Sequence, residues 1–502
     1  MNGEGSIRVV VVGAGMVGIR FAEEVARADR AGRFEVLVLG EEEYEPYNRI
    51  LLTELVAGRA ELASLALARP AGATVRLGAR VERIDREARA VCVDDEPVPY
   101  DHLVLATGAR GRVLRVPGLD AGPDEPLPGG VFVLRSVDDA RGISAAALNS
   151  RRAVVVGGGP LGVEAACGLR LRGVDVDVVS FAGHLLDRDL DPEPGRLLAE
   201  AVSDLGIAFH GDAALAALTH DDRHVRGVVL DDGRTLAADL VVLACGAVPE
   251  TALATAAGLE VAHGVVVGDD LATTRDPAIH AIGDCAQTPS GVAGLVAPGW
   301  EQARALARRL VDGEAADPVA VVLDGAAMRL KAAGVSLVAA GRKASTAGGA
   351  RVLTMSDPYA RRYVEVVVDG DALVGMTCLG APELASSLSV QLGRPSVVPL
   401  DPLQLLAPSA GQGDTAAGSP TTMPGGTTVC RCNGVTKRDL VAAWDGGACS
   451  VDALATTTRA TTGCGGCTSL VRGIADWLQV SDADADASQS RSATREPVVK
   501  GA

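Results

Sequence analysis

The sequence predicts an α/β protein, because three observations along its 502 residues agree. A strand, a glycine-rich turn and a helix follow one another at Ile7 to Val25, and the same unit recurs at Arg152 to Leu171. Each unit is later closed by an apolar strand that ends in glycine. The 48% hydrophobic content and the 60 glycines suit a fold with many tight strand-to-helix turns. We therefore predict two Rossmann-like dinucleotide-binding domains, then a small α+β domain and a small helical domain.

The composition argues against several classes of function. A net charge of -17 and an aromatic content of 3% disfavour a nucleic-acid-binding surface, which needs excess cations and stacking platforms. The start, Met1 to Arg8, lacks a signal pattern, and no apolar run reaches transmembrane length. We therefore expect a cytoplasmic protein with no nucleic-acid or membrane contact. In that compartment its ten cysteines would be ligands or core residues rather than disulfides.

The first glycine turn has the spacing of a dinucleotide cradle. Gly13 permits the tight turn, Gly15 lets the backbone approach a pyrophosphate, and Gly18 lets the helix pack close to the strand. The helix N-terminus then offers free N–H groups to the phosphates. After the next strand, Glu41 or Glu42 lies where an acid can bind ribose hydroxyls. The predicted contacts of the turn itself are Gly13, Ala14, Gly15 and Gly18.

The second glycine turn repeats this pattern with Gly157, Gly159 and Gly162. Two dinucleotide sites in one chain indicate a flavin and a nicotinamide nucleotide, since hydride passes between them. At the end of the second unit's next strand, an acid would favour NAD and an arginine cluster would favour NADP. Ser180 follows that strand instead, so the nicotinamide preference stays open.

Five motifs in the right order resemble the pyridine nucleotide–disulfide oxidoreductase superfamily over about the first three hundred residues. After the two glycine turns and the two closing strands, the fifth motif is His280-Ala-Ile-Gly283-Asp284. The resemblance implies that the first site holds FAD and the second NAD(P)H. It also implies that Asp284 binds the ribityl chain and that a helix opening at Pro298-Gly299 directs its N-terminus at the flavin. Three further FAD-binding residues expected from the resemblance are Val81, Thr107 and Gly108.

One departure from that superfamily concerns the route by which electrons leave the flavin. Disulfide reductases of this fold carry cysteine after the first nucleotide-binding strand, but the stretch Tyr44 to Thr53 has none. Its Pro-Tyr-Asn-Arg49 resembles the branch that reduces iron–sulfur partners, in which Arg49 would meet the FAD phosphates. In relatives, Glu164 approaches flavin and nicotinamide, and it is our catalytic candidate. Without the resemblance, a surface arginine and a solvated helix acid would be the ordinary interpretations.

The last ordered stretch carries two tight cysteine pairs, Cys430-Arg-Cys432 and Cys464-Gly-Gly-Cys467. Zinc usually takes two pairs spaced C-x2-4-C, so the first pair is unusual for it. Disulfides are disfavoured by the compartment, and a [2Fe-2S] cluster held by four cysteines suits a flavin upstream. The pattern also resembles the bacterioferritin-associated ferredoxin-like module, which implies that these four cysteines bind a [2Fe-2S] cluster.

The remaining segments complete the predicted domain order. The smaller α+β unit shows no catalytic constellation and is expected to give structural support and dimer contact, which would make the protein a homodimer. A stretch rich in Pro, Gly, Ser and Thr predicts a flexible linker that lets the cluster domain move between flavin and partner. The predicted order is a FAD domain (1–125 and 249–313), an NAD(P)H domain (126–248), an α+β interface domain (314–400), the linker (401–428), the [2Fe-2S] domain (429–478) and a disordered tail (479–502).

Flavoprotein and cysteine module together resemble the N-terminal part of NAD(P)H-dependent assimilatory nitrite reductase large subunits. In that family a sirohaem and [4Fe-4S] domain follows; here we expect none, so nitrite would not be reduced on this polypeptide. The arrangement then resembles the electron-transfer subunit of bacterial assimilatory nitrate reductases. The predicted partner is a molybdenum-dependent nitrate reductase catalytic subunit. The alternatives are a separate nitrite reductase or ferredoxin-type acceptor, and a redox-sensing regulatory flavoprotein.

Overall fold

The computed structural model describes residues 6–119, 125–221, 224–313, 328–392, 402–406, 420, 423–430, 433–462 and 466–493. The chain divides into two compact units. The first comprises residues 1–370 and 374–382, and the second comprises residues 371–373 and 383–502. No helix within the described ranges is long and apolar enough to cross a membrane.

The first nucleotide-binding unit is built on a mostly parallel sheet. Val9, Val10 and Val11 of its central strand are completely buried, because both faces of the sheet are covered. The strands of this segment are Ile7–Val12 (β1), Phe34–Leu39 (β2), Ala73–Arg76 (β3), Val81–Asp85 (β4), Ala90–Val93 (β5), Glu96–Pro99 (β6), His102–Leu105 (β7) and Ala109–Gly111 (β8). The helices are Met16–Ala28 (α1), Leu52–Val56 (α2) and Leu62–Leu65 (α3).

The second nucleotide-binding unit repeats this design in a five-stranded sheet. The five strands of this sheet are Val131–Val133 (β9), Arg152–Val156 (β10), Asp175–Val179 (β11), Ile207–His210 (β12) and Leu240–Leu243 (β16). A separate three-stranded sheet consists of Leu215–Asp221 (β13), His224–Leu230 (β14) and Thr235–Ala237 (β15). The helices of this unit are Val137–Ala147 (α4), Pro160–Leu171 (α5) and Pro192–Asp204 (α6). The main sheet runs in the order β12-β11-β10-β16-β9, so β10 is flanked by β11 and β16. In the same way β1 is flanked by β2 and β7.

The chain then returns to the first sheet. The next elements are Ala247–Pro249 (β17), Ala252–Ala256 (α7), Val265–Val266 (β18), Ala272–Thr273 (β19), Asp276–Ala281 (β20), Ala286–Gln287 (β21) and Val296–Asp312 (α8). β20 lies parallel to β7, which completes the order β19-β20-β7-β1-β2-β3. β17 pairs with β8 where the chain passes between the two nucleotide-binding units. α8 begins at Val296, two residues before the start at Pro298 that the resemblance implies.

A five-stranded sheet with the order β22-β23-β26-β25-β24 follows. Its strands are Met328–Leu330 (β22), Leu337–Gly341 (β23), Arg351–Asp357 (β24), Arg362–Asp369 (β25) and Ala372–Leu379 (β26), and Pro382–Gln391 (α9) comes next. Asp369 is the last residue of β25, and Gly370 lies in the turn between β25 and β26 with a φ of +58°. The α/β class and the succession of sheets predicted from the sequence are thus confirmed.

The cysteine module is small and largely helical. It contains Thr428–Cys430 (β27), Val435–Thr436 (β28), Lys437–Asp445 (α10), Val451–Thr458 (α11) and Thr468–Ala493 (α12). Trp444 and Leu440 of α10 lie in its core with Leu454 of α11 and Ile474 of α12.

One prediction about this part of the chain was wrong in extent. The tail was predicted to be disordered from residue 479, but α12 continues to Ala493, because alanine favours helix and the preceding turns already nucleate it. Trp444 also donates to Asp482 at 2.7 Å. Near the end of the predicted linker, Lys437 donates to the carbonyl oxygen of Met423 at 2.8 Å. Residues 407–419 of the linker and 494–502 of the tail lie outside the described residues.

Candidate functional site

The first glycine turn forms an open cradle between β1 and α1. A Cβ added to Gly13 would lie 2.2 Å from the carbonyl oxygen of Ala106, and one added to Gly18 would lie 2.0 Å from that of Gly13. Gly13 also has a φ of +117°, which an L-residue rarely adopts. At Gly15, in contrast, no atom lies within 4 Å of an added Cβ. The free space therefore lies in front of the N-terminus of α1, where a pyrophosphate fits.

The two predicted ribose acids lie in different surroundings at the end of β2. Glu42 pairs with Arg49 and accepts a hydrogen bond from the Tyr47 hydroxyl at 2.8 Å. The Glu41 side chain is 67% exposed and lies 3.5 Å from Arg80. Glu41 is therefore the better placed of the two to meet a ribose, whereas Glu42 holds Arg49. Ala14 lies beside the same strand end, because a Cβ added to Gly40 would be 2.7 Å from its methyl group.

A chain of polar contacts joins Arg49 to Asp284. Arg49 donates to the carbonyl oxygen of Arg135 at 3.2 Å, and Arg135 Nη2 pairs with Asp284 Oδ2 at 2.5 Å. Arg135 also donates to the carbonyl oxygen of Ala109 at 2.9 Å. Sequence reasoning missed Arg135. One signal was available: it lies just beyond β9 and directly before Ser136, which caps α4, and side chains at strand ends line the ligand crevice of such sheets.

The remaining predicted FAD residues are placed as follows. Thr107 donates to the carbonyl oxygen of Glu250 at 2.9 Å, next to Gly108, whose φ is +73°. Val81 is 5% exposed and belongs to the core of the first nucleotide-binding unit, so a contact with FAD would have to come from its backbone.

Pro298 and Gly299 lie in the first turn of α8, close to the turn that carries Asp284. A Cβ added to Gly299 would be 2.7 Å from Val17 of α1. Gln302, one turn further on, accepts a hydrogen bond from the N–H of Gly283 at 2.7 Å and is almost fully buried. The N-terminus of α8 and the Asp284 turn are thus held together. Gln302 is a second residue that sequence reasoning missed.

The second glycine turn has nearly the same geometry as the first. An added Cβ would lie 2.3 Å from the carbonyl oxygen of Ala244 at Gly157 and 2.0 Å from that of Gly157 at Gly162. At Gly159 no atom lies within 4 Å. The residues present therefore fit a second dinucleotide. Ser180 is buried at the end of β11, and its hydroxyl accepts from the N–H of Ala182 at 3.2 Å.

Glu164, on α5 just beyond this turn, is buried and held by three donors. The Thr53 hydroxyl donates to Oε2 at 2.7 Å, and Oε1 accepts from the backbone N–H of Lys331 at 2.8 Å and from its Nζ at 3.0 Å. Thr53 lies on α2, directly after the Arg49 segment, and Lys331 follows β22. The carboxylate thus joins both nucleotide-binding units and the third sheet. The sequence indicated Glu164 but neither of its partners.

In the cysteine module, Cys430 and Cys467 are brought together. The Cys467 thiol lowers the pKa of Cys430 to about 6, with help from the N–H groups of Asn433 and Thr461 and against the cost of burial. The N–H of Thr461 lies 3.2 Å from Cys467 Sγ. A site that stabilises thiolate sulfur in this way fits an anionic iron–sulfur centre. Cys432 and Cys464, the other two predicted ligands, lie outside the described residues.

Comparison with known families agrees with this geometry. Residues 7–305 match the pyridine nucleotide-disulphide oxidoreductase family, and residues 428–477 match the BFD-like [2Fe-2S] binding domain. The flavoprotein part thus contains both glycine turns and Asp284. The smaller domain spans both cysteine pairs, which supports the [2Fe-2S] interpretation over zinc.

Individual proteins are similar over most of this chain. The nitrite reductase [NAD(P)H] large subunit of Klebsiella oxytoca is 36% identical over 482 residues, which are 93% of this chain and 49% of that protein. The assimilatory nitrate reductase electron transfer subunit of Bacillus subtilis is 32% identical over 485 residues, which are 95% of this chain and 60% of that protein. The chain thus spans only about half to three-fifths of these two relatives.

Among solved structures, a ferredoxin reductase of Rhodopseudomonas palustris is similar, with a TM-score of 0.67 and 28% identity. The match covers 78% of this chain and 96% of that chain. The chain therefore belongs to the pyridine nucleotide-disulphide oxidoreductase family and is an oxidoreductase with FAD, NAD(P)H and, in its BFD-like domain, a [2Fe-2S] cluster as cofactors.

Proposed function

We propose that this protein is an NAD(P)H:acceptor oxidoreductase that passes electrons through FAD and the [2Fe-2S] cluster to the catalytic subunit of an assimilatory, molybdenum-dependent nitrate reductase. The observation that carries the proposal is the joining of two dinucleotide cradles and a four-cysteine module in one chain, with no cysteine before Cys92. A flavin without a nearby disulfide needs another outlet for its electrons, and the cysteine module supplies one. Its similarity to an assimilatory nitrate reductase electron transfer subunit supports the choice of partner.

The residues of the chain would bind and orient the two nucleotides. Gly15 and the N-terminus of α1 would receive the FAD pyrophosphate, and Glu41 would bind its ribose. Gly159 and the N-terminus of α5 would receive the pyrophosphate of NAD(P)H. When both are bound, the flavin accepts a hydride from the nicotinamide and releases its electrons singly. Because hydride transfer needs no protein acid or base, positioning supplies most of the rate enhancement.

Polar groups around the first cradle would hold FAD in place. The ion pair of Arg135 with Asp284 keeps two groups of opposite charge at the crevice, where one can accept from a ribityl hydroxyl and the other can meet a phosphate. Arg49 is fixed in turn by Glu42 and by the Tyr47 ring, whose centroid lies 4.7 Å from the guanidinium carbon. Glu164 accepts hydrogen bonds on both oxygens, so we assign it a role in positioning rather than in proton transfer.

Replacement of Cys467 by serine tests the proposed relay. Cys467→Ser should leave flavin reduction by NAD(P)H unchanged and abolish electron transfer to the acceptor, because one ligand of the cluster is lost. Anaerobic stopped-flow absorbance would follow the flavin, and electron paramagnetic resonance would follow the cluster. Cys449→Ser is the matched control, since Cys449 is an exposed cysteine of the same domain outside both pairs. Full transfer to the acceptor by Cys467→Ser would contradict the relay.

A second candidate acceptor is a separate sirohaem nitrite reductase. The similarity to nitrite reductase large subunits favours it, because the matched segment spans nearly all of this chain. Protein reduced with NAD(P)H and mixed with each candidate catalytic subunit would discriminate the two by the rate of cluster reoxidation. A regulatory flavoprotein would instead show slow turnover with every acceptor, including dyes.

A further inference from the structure

The loop formed by residues 459–462, the strained loop, lies against the sulfur atoms of Cys430 and Cys467. α11 ends at Thr458, and the next residues include Arg459 at φ +65° and Thr461 at φ +71°. Left-handed backbone is costly for residues with a side chain, and most of all for a β-branched residue such as Thr461. Such conformations persist only where surrounding contacts hold them, and they cluster at functional sites.

The strained loop directs a backbone donor at the sulfurs. The N–H of Thr461 lies 3.2 Å from Cys467 Sγ, and it also reaches the thiol of Cys430. An N–H group in this position stabilises negative charge on sulfur. The strained loop therefore stabilises negative charge on sulfur at the predicted metal site.

Asn433 holds this loop in place. Its amide nitrogen donates to the carbonyl oxygen of Arg459 at 2.6 Å and to the Thr462 hydroxyl at 3.3 Å. The same nitrogen lies 3.7 Å from Cys430 Sγ, within hydrogen-bonding range for sulfur. With 6% of its surface exposed, Asn433 is almost withdrawn from water. One buried amide thus connects the ends of the strained loop to a ligand sulfur.

We propose that Asn433 is a positioning residue that raises the reduction potential of the cluster. It would act directly through its N–H group toward Cys430 and indirectly by keeping the Thr461 N–H on Cys467. Reduction adds one electron to the centre and makes its thiolates more negative, so donors to sulfur stabilise the reduced form more than the oxidised form. The inference rests on the proposed [2Fe-2S] relay and deepens it, because a higher potential favours electron flow from flavin to cluster.

Asn433→Ala in the full-length holoprotein tests this inference. The midpoint potential, measured in a dithionite titration followed by electron paramagnetic resonance, should shift to a lower value while iron per chain stays at the wild-type level. Lys437→Arg, which keeps the positive charge, is the matched control: Lys437 is also buried and also clamps backbone carbonyl oxygens, those of Pro420 and Met423, rather than sulfur. Its potential should not move. Thr461→Gly, which keeps the N–H and relieves the strain, should also keep the wild-type potential.

An unchanged potential in an Asn433→Ala variant with full iron would overturn the inference. If that variant loses iron, wild-type protein labelled with asparagine that carries ¹⁵N only in the side-chain amide decides the matter. The chain has four asparagines, and only Asn433 lies beside a predicted ligand. Pulsed electron paramagnetic resonance of the reduced cluster should show a ¹⁵N coupling, and absence of that coupling would refute the contact. Because dithionite reduces the cluster chemically, both measurements stand even if NAD(P)H fails to reduce it, which would instead refute the proposed function.

Discussion

The Glu164 side chain connects several parts of the first compact unit, residues 1–370 and 374–382. Its carboxylate is held by Thr53 from one nucleotide-binding unit and by Lys331 from the third sheet, and only 4% of the side chain is exposed. Removing one partner of such a buried pair usually costs more free energy than the pair contributes, since the remaining charge is left uncompensated. The arrangement fixes the Glu164 carboxylate beside the second cradle, and Lys331 supplies two of its three donors.

A second buried polar group at the residue scale is the imidazole of His280 on β20. Burial, with a smaller contribution from the nearby His102, lowers its pKa from 6.5 to about 4. His102 Nδ1 lies 3.4 Å from His280 Nε2. Of the other charged groups that act on it, Asp270 and Asp276 raise the pKa and Arg309 lowers it. The folded protein therefore resists protonation at this position.

Stability should fall in weak acid because of His280. Between pH 6.5 and about pH 4 the unfolded chain binds the proton and the folded protein does not. The free energy of unfolding therefore decreases as the pH falls, by about 2 kcal/mol at pH 5 from this residue. His280→Gln should flatten this dependence in urea unfolding at pH 5 and pH 7. His263→Gln, at an exposed histidine, is the control, and equal pH slopes in wild type and His280→Gln would contradict the assignment.

At the scale of elements, the glycines at corresponding positions of the two strand–turn–helix units are constrained in nearly the same way. Gly13 and Gly157 are excluded from carrying a side chain by the closing strand, and Gly18 and Gly162 by the turn itself. Gly15 and Gly159 alone face open space in each turn, and both adopt extended backbone that other residues also accept. Substitution at these two positions should therefore affect the nucleotide rather than the fold.

Valine at each open glycine should separate the two sites. Gly15→Val should lower the FAD content, because the side chain occupies the approach of the pyrophosphate. Gly159→Val should retain FAD and raise the KM for NAD(P)H by at least roughly tenfold, which corresponds to about 1.4 kcal/mol of binding. Flavin absorbance and steady-state kinetics with a dye acceptor measure the two effects. Gly349→Val, at an exposed glycine with free space around it, is the control. Loss of FAD from Gly159→Val would count against this assignment of the two cradles.

Element boundaries were predictable where local chemistry determines them. The strands of both units follow from short apolar runs, and α10 follows from its capping box of Thr436 with Asp439. The end of α12 did not follow from its polar composition, because the acidic tail also contains alanines and one of its acids, Asp482, accepts from Trp444. A contact between residues 38 positions apart cannot be read from a local pattern.

At the scale of the whole molecule, residues 407–419 lie between the parts of the predicted linker that the structure describes. Deleting them should slow electron transfer from flavin to cluster and leave flavin reduction by NAD(P)H unchanged, because a shorter tether restricts where the cluster domain can go. Stopped-flow absorbance and freeze-quench electron paramagnetic resonance measure the two rates. Replacing the same residues with a Gly/Ser segment of equal length is the control and should preserve both rates. If the deletion transfers electrons at the wild-type rate, the linker does not have this role.

The amino-acid sequence by itself determined the class of fold, the two cradles and the four candidate ligand cysteines. These features rest on spacing along the chain, which sets turns and helix starts locally. Only the tertiary structure decided which partners meet at the sites: Arg135 with Asp284, Lys331 with Glu164, and Asn433 with the loop of Thr461. Those partners are far apart in sequence, and their contact depends on how sheets and helices pack. Packing is a property of the whole fold, so no single stretch of residues encodes it.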